Sequence, residues 1–227
     1  MGEMVTFASN GTQGSGYLAT PASGQGPGVV VIQEWWGLVP HICDLADRFA
    51  AEGFTALAPD LYRGESASNT EPDEAGKLMM ALDIERATKD MSGAVDRLVS
   101  ITGRAKIGVV GFCMGGGLTL KLAADRPDAV AAAVPFYGAI PWPAVQPDYT
   151  RFTAAVLGHY AENDDWASPA VARELEATLT AAGKQATVHI YSGTQHAFAN
   201  DTRPEVYDAE AAALAFSRTF EFLRQQL

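Results

Sequence analysis

Cys113 stands in the run Val109–Gly117, "VVGFCMGGG", between an apolar segment and a cluster of glycines. A cysteine that merely fills a core needs no glycine beside it. A cysteine raised on a sharp strand-to-helix turn does, because the residues two positions either side must be small, and Gly111 and Gly115 meet that condition as G-x-C-x-G. The following helix would point its N-terminus at Cys113 and favour thiolate over thiol. Such a group suits nucleophilic attack on a carbonyl. A phosphate-cradling loop would need Gly-Lys-Ser/Thr after the glycines, where Leu118 and Thr119 stand, and a dinucleotide fingerprint would need glycine in place of Leu120. A plain buried cysteine remains the alternative.

A cysteine nucleophile needs a base, and the base needs a carboxylate to hold its tautomer. One known chain order is nucleophile, then acid, then histidine. After Cys113 come His159, at the end of a strand-like run, His189, in the middle of another, and His196, in the loop "SGTQHAF" before the last helix. His196 is where the base should be; His189 reads as structural and His159 at most as a support. The segment "HYAENDDWASP" offers Glu162, Asp164 and Asp165, each also readable as a plain loop acid. The backbone N–H of Met114 and that of Trp35, after the apolar run "GVVVIQE", are the expected oxyanion donors. Glu34 sits beside them. An acid ending an apolar strand is costly to bury without a purpose, although it could simply cap a helix or pair with an arginine.

These groups require strands to hold them. Short apolar runs at 28–34, 54–59, 106–112, 129–138, 153–160 and 186–192, with "GYLAT" before them, read as strands, and the alternating "EMVTFAS" as an edge or antiparallel one. Between them lie helical patterns. Ile84, Ala87, Met91, Ala94, Leu98 and Ile101 form one stripe; Ser168 and Pro169 open a helix that Gly183 closes, with Val171, Leu175 and Leu179 inward. "PHICDLADRFAAEG" reads as helix, and "LTLKLAA" after Cys113 as an amphipathic one. A final helix carries Val206, Ala209, Ala213, Phe216, Phe220, Leu223 and Leu227 on one stripe, and 62–76 reads as a polar loop over the strand ends. Strands alternating with helices imply a single α/β domain over 1–227 with a mostly parallel sheet.

The 227 residues carry a formal net charge of −11, which repels nucleic acid and anionic membranes. No N-terminal leader and no run of eighteen apolar residues is present, so a cytoplasmic monomer with no membrane or nucleic-acid partner is expected. Cys43 and Cys113, far apart, read as reduced thiols, and the scattered histidines have no zinc-ligand spacing. No cofactor is implied.

Taken together, "VVVIQEWWG", "GFTALAPDLYRG", "VGFCMGGG", "AENDDWASP" and "GTQHAF" resemble, in order and spacing, the dienelactone hydrolase (carboxymethylenebutenolidase) family of the α/β-hydrolase fold. The resemblance implies Cys113 as nucleophile, His196 as base and Asp164 as its orienting acid, with Asp165 the fallback. It implies that Glu34 interacts with the resting cysteine and takes its proton when substrate displaces it. Family members that act on dienelactone grip its carboxylate with arginines, whereas here Asn200 stands in one such position and "SNTEPDEAGK" offers none. Arg203 or Arg63 could take over that role. Trp35, Trp36, Phe112 and Trp142 suggest a pocket with aromatic walls. The expected substrate is a small ester or lactone. A strict dienelactone hydrolase yielding maleylacetate, a non-catalytic binding protein on the same fold and a thiol sensor are the alternatives.

Overall fold

The computed structural model describes residues 2–142 and 145–227. Eight strands form one sheet in the order β1-β2-β4-β3-β5-β6-β7-β8. The N-terminal hairpin, β1 (Glu3–Ser9) and β2 (Thr12–Ala19), turns at Asn10 and Gly11, whose φ of 42° and 94° suit a tight two-residue hairpin turn. β2 lies antiparallel on β4 (Thr55–Pro59), and β3 (Gly28–Ile32), β5 (Ile107–Phe112), β6 (Val130–Phe136), β7 (Ala155–Asn163) and β8 (Ala186–Gln195) continue the sheet in parallel.

Helices cover both faces, which explains why the central strands are apolar on both sides. Val29 and Val31 pack under α1 (Pro40–Ala51) and α6 (Ala209–Gln226), while Val30 and Ile32 pack under α3 (Ile84–Thr102) and α4 (Met114–Asp125); α5 (Pro169–Ala181) covers β7 and β8 on that same face. Fully buried side chains such as Phe49, Phe112, Phe136 and Phe198 each contribute about 1.5–3 kcal/mol. Asp83 caps α3 by accepting from the Arg86 amide, and Gly103, at φ 66°, ends it. The stripe from Ala87 to Leu98 is buried as its spacing requires.

Four expectations need correction. Residues 72–76 are not loop: Pro72 opens α2 (Pro72–Ala81), and Asp73 and Glu74 in its first turn suit the helix dipole. α4 is not amphipathic but nearly all buried, since it packs against β5 and β6 beneath further side chains. The last helix begins after Asp208, which accepts from the Ala211 amide, so Val206 precedes it; its buried face runs through Ala212, Ala215, Phe216, Thr219 and Leu223, leaving Ala209 and Ala213 exposed. In α5, Val171 is exposed and Ala172 takes the inward place. Alanine and valine are too small for spacing alone to choose between neighbouring faces.

Candidate active site

The carboxyl ends of β3, β5, β6, β7 and β8 converge, as ligand sites on parallel sheets require. Cys113 follows β5 directly with φ 55° and ψ −118°, a conformation that side-chain-bearing residues adopt only under strain. The surroundings dictate the glycines. A Cβ on Gly111 would lie 2.1 Å from the Gly115 carbonyl oxygen, and one on Gly115 would lie 2.4 Å from that of Gln33. One on Gly116 would meet the Phe136 oxygen at 2.7 Å. Close packing of α4 on β3 and β6 therefore demands glycine, and it pushes the turn that carries Cys113 up into the strand ends. The Cys113 amide is anchored to the Phe136 carbonyl at 3.0 Å. Trp35 and Met114 have amides with no backbone acceptor among the described residues.

Asp164, one residue past β7, is buried. Its Oδ2 meets His196 Nδ1 at 2.7 Å, and its Oδ1 accepts from the amides of Trp166 at 2.8 Å and Ala167 at 2.9 Å. Burial opposes ionisation of Asp164, but the hydrogen bond and charge of His196 outweigh it and hold the carboxyl below its ordinary range. Burial likewise disfavours a charged His196. The Asp164 carboxylate and the nearby Cys113 sulfur overcome that and push the imidazole up to about 10. Asp165 is exposed, so of the two neighbouring aspartates only Asp164 reaches the histidine.

Glu34, just beyond β3, is almost wholly buried. Its Oε2 accepts from Asn200 Nδ2 at 2.8 Å and its Oε1 from the Tyr137 hydroxyl at 3.4 Å. Burial, then the neighbouring Glu34 carboxylate, raises the Tyr137 phenol well above its usual value, so it acts as a neutral donor. Cys113, His196 and Glu34 all face one cavity of about 170 Å³. Trp35, Trp36, Trp166 and Met79 supply its apolar walls, and Arg203 is the one arginine or lysine among its lining residues.

Residues 15–227 match the model of the dienelactone hydrolase family. The chain belongs to this family. It is 40% identical over 240 residues to Protein usf of Aquifex pyrophilus, a match spanning 100% of both chains. It is 36% identical over 245 residues, again 100% of both, to an Aquifex aeolicus protein named "Putative carboxymethylenebutenolidase". A solved structure described as a "Putative Dienelactone Hydrolase" from Klebsiella pneumoniae superposes with a TM-score of 0.87 at 28% identity, over 99% of this chain and 98% of the other. The chain is thus a hydrolase with the α/β-hydrolase fold. Among the described residues, no helix is long and apolar enough to cross a membrane, and no group of three His, Cys, Asp or Glu side chains could hold a metal.

Within this dienelactone hydrolase family member, some residues expected at the pocket lie elsewhere. Phe112 is fully buried and packs on Phe136 at 4.7 Å between ring centroids, because residues alternate across β5 and its side chain falls on the α6 side. Arg63 faces α3, pairing with buried Asp90 at 3.4 Å. Asn200 does not face the cavity: its amide nitrogen is spent on Glu34, and its Oδ1 accepts from the Thr202 amide at 3.0 Å and hydroxyl at 2.7 Å. Trp142 packs against the core, and Trp166 takes the place at the rim. His159 is a buried structural histidine bonded to Tyr191 and Thr219, with His189 stacked beside it.

Two pocket residues, Met79 and Trp166, and the buried Tyr137 that supports Glu34 escaped the sequence reading. Tyr137 was legible only as part of a strand, although a phenol one residue past a strand beside that of Cys113 is a usable positional signal. Met79 was missed because α2 was read partly as loop, and Trp166 because nothing in "DDWASP" shows which way its side chain leans.

Proposed function

We propose that this hydrolase cleaves small esters or lactones through an acyl-cysteine intermediate on Cys113. The observation that carries this reading is the Asp164 to His196 hydrogen bond in the same cavity as a cysteine held on a strained strand-to-helix turn. In the reaction, the Cys113 thiol gives its proton to Glu34 or His196, and the thiolate sulfur attacks the carbonyl carbon. The oxyanion forms against the Trp35 and Met114 amides, each such donor being worth roughly 3 kcal/mol in other hydrolases. Collapse breaks the bond to the leaving oxygen, which takes a proton from His196. Water then loses a proton to His196 and attacks the thioester; the carboxylic acid departs and the sulfur leaves as thiolate. Asp164 keeps the imidazole oriented throughout.

Arg203 is the candidate partner for a substrate carboxylate. Its guanidinium lies 6.0 Å above the Trp36 ring, and Glu205 engages only Nε, at 2.8 Å. A carboxylate-bearing lactone in the cavity would meet its guanidinium as the one arginine or lysine side chain among the lining residues. This supports a lactone substrate gripped differently from the arrangement implied by the family resemblance.

The test compares the wild type with Cys113→Ala on a short aryl ester, a simple enol lactone and dienelactone. Turnover of ester or lactone by the wild type and not by the variant is expected. Equal rates for the two proteins would remove Cys113 from the chemistry.

A further inference from the structure

Trp166 stands two residues beyond Asp164, and it is 43% exposed at the rim of the cavity that Cys113 and His196 line. The other exposed large apolar side chains among the described residues are Met4, Met80, Val171, Tyr207 and Leu214, and none of these lines the cavity. An indole left in water forfeits burial that a planar apolar partner would restore.

The other indoles of the cavity already have partners within the chain. Trp35 packs edge-on against Trp36 with 5.0 Å between ring centroids, and buried Trp36 also carries the Arg203 guanidinium at 6.0 Å. Trp166 belongs to none of the apolar clusters and pairs with no aromatic ring among the described residues. Its support is nevertheless well fixed. The Trp166 amide donates to Asp164 Oδ1 at 2.8 Å, the amide of buried Ala167 does so at 2.9 Å, and Ser168 then caps α5 by accepting from the Val171 amide. A ring without a partner, held on a tethered loop, is a preformed face for a ligand.

The same carboxylate that holds this loop also holds the base. Asp164 engages His196 through Oδ2 and the Trp166 amide through Oδ1, so imidazole and indole flank the cavity from one anchor. In the reaction proposed above, His196 protonates the departing oxygen, which sets the leaving group on its side of Cys113. The cavity of about 170 Å³ is close to the roughly 150 Å³ that encloses benzene elsewhere, so it takes one ring. We infer that Trp166 is a specificity-determining residue that stacks on a planar leaving group, which makes the preferred substrates esters of arylmethanols or phenols with a small acyl group. This rests on the cysteine hydrolase reading, because the leaving group meets the indole only if it departs past His196.

Benzyl acetate and methyl phenylacetate are isomers that carry the same ring on the leaving-group side and on the acyl side, respectively. Trp166→Ala should lower the ratio of kcat/KM for benzyl acetate to that for methyl phenylacetate about tenfold, mainly through KM, and Trp166→Phe should restore most of it. An unchanged ratio overturns the assignment, including the case in which both rates fall together because the loop around Asp164 has loosened. Binding is read separately in protein with ¹⁵N in its four tryptophans. The Trp166 indole signal, assigned from Trp166→Phe, should shift saturably with benzyl alcohol, with a dissociation constant on the order of 10 mM, and not with methanol. If the wild type hydrolyses neither isomer, the reaction proposed above fails on its own account and the titration decides the ring site: a saturable shift upholds it, and a fixed signal overturns it.

Discussion

Asn200 donates from Nδ2 to Glu34 Oε2 at 2.8 Å, joining the loop after β8 to the end of β3 behind the cavity wall. The bond explains how a carboxylate is accommodated beside a cysteine with so little access to water. Asn200→Ala should leave Glu34 with only the longer Tyr137 contact and cost about 1–3 kcal/mol of stability, read from urea unfolding. Glu34→Gln should cost less, because an amide oxygen can still accept from Asn200, while ester turnover falls. An unchanged unfolding midpoint in Asn200→Ala would show that the bond contributes little.

The backbone of Cys113 allows strain to be separated from chemistry. At φ 55° and ψ −118°, alanine keeps the steric cost and glycine relieves it. Cys113→Gly should therefore be more stable than Cys113→Ala by about 1 kcal/mol, after the greater unfolded-state freedom of glycine is set against the relief. Both should lack activity. Thermal melts of the two variants side by side decide it, and an alanine variant equal to or above glycine would argue against strain.

Gly115 has no room for a methyl group, since its Cβ would stand 2.4 Å from the Gln33 oxygen and 2.5 Å from that of Ile32. Both obstacles are backbone. Gly115→Ala must push α4 away from β3 and should destabilise by about 1–3 kcal/mol. Turnover should fall with it, because the amides of Trp35 and Met114 would separate. A variant that melts with the wild type would mean that the helix start relaxes freely.

The paired ionisation of His196 and Asp164 ties stability to pH. Because folding raises the His196 pKa from 6.5 to about 10, its contribution is present in full below pH 6.5 and is lost as pH climbs through about 10. Asp164 acts in the opposite sense: its lowered pKa gives stability above pH 3.8 that disappears as pH falls through the folded value. Asp164→Asn should flatten both limbs. Chemical denaturation of wild type and variant from pH 3 to 10.5 would show the difference between them narrowing at each end; a constant difference would contradict the coupling.

Arg203→Met distinguishes recognition from chemistry. On a neutral aryl ester the variant should keep kcat/KM within about twofold, whereas on a carboxylate-bearing lactone KM should rise about tenfold with little change in kcat, as loss of one charge-assisted contact predicts. Equal effects on both substrates would remove Arg203 from carboxylate recognition.

Much of the architecture was legible because it depends on local pattern. The alternation of apolar runs with helical stripes sufficed for a mostly parallel sheet, and the stripe from Ala87 to Leu98 named the buried face of α3 correctly. The glycines around Cys113 carried a tertiary message in a local signal, since glycine at positions 111 and 115 makes sense only where another backbone comes close. Chain order pointed to Cys113 and His196 at strand ends and to an acid among Glu162, Asp164 and Asp165; Asp164 was singled out only by the family resemblance. Other features depend on groups far apart in sequence, and no local pattern encodes them. Asn200 and Arg63 looked available for a substrate until folding set Asn200 against Glu34, 166 positions away, and Arg63 against Asp90. Phe112 adjoins Cys113 in the chain, yet strand alternation sends its side chain into the core. Tyr137 reaches Glu34 only because β6 ends beside β5. Sequence by itself determined which chemical groups are present and on which element each rides; the tertiary structure decided which of them meet, because a hydrogen bond or a cavity wall depends on the direction of side chains from separate strands.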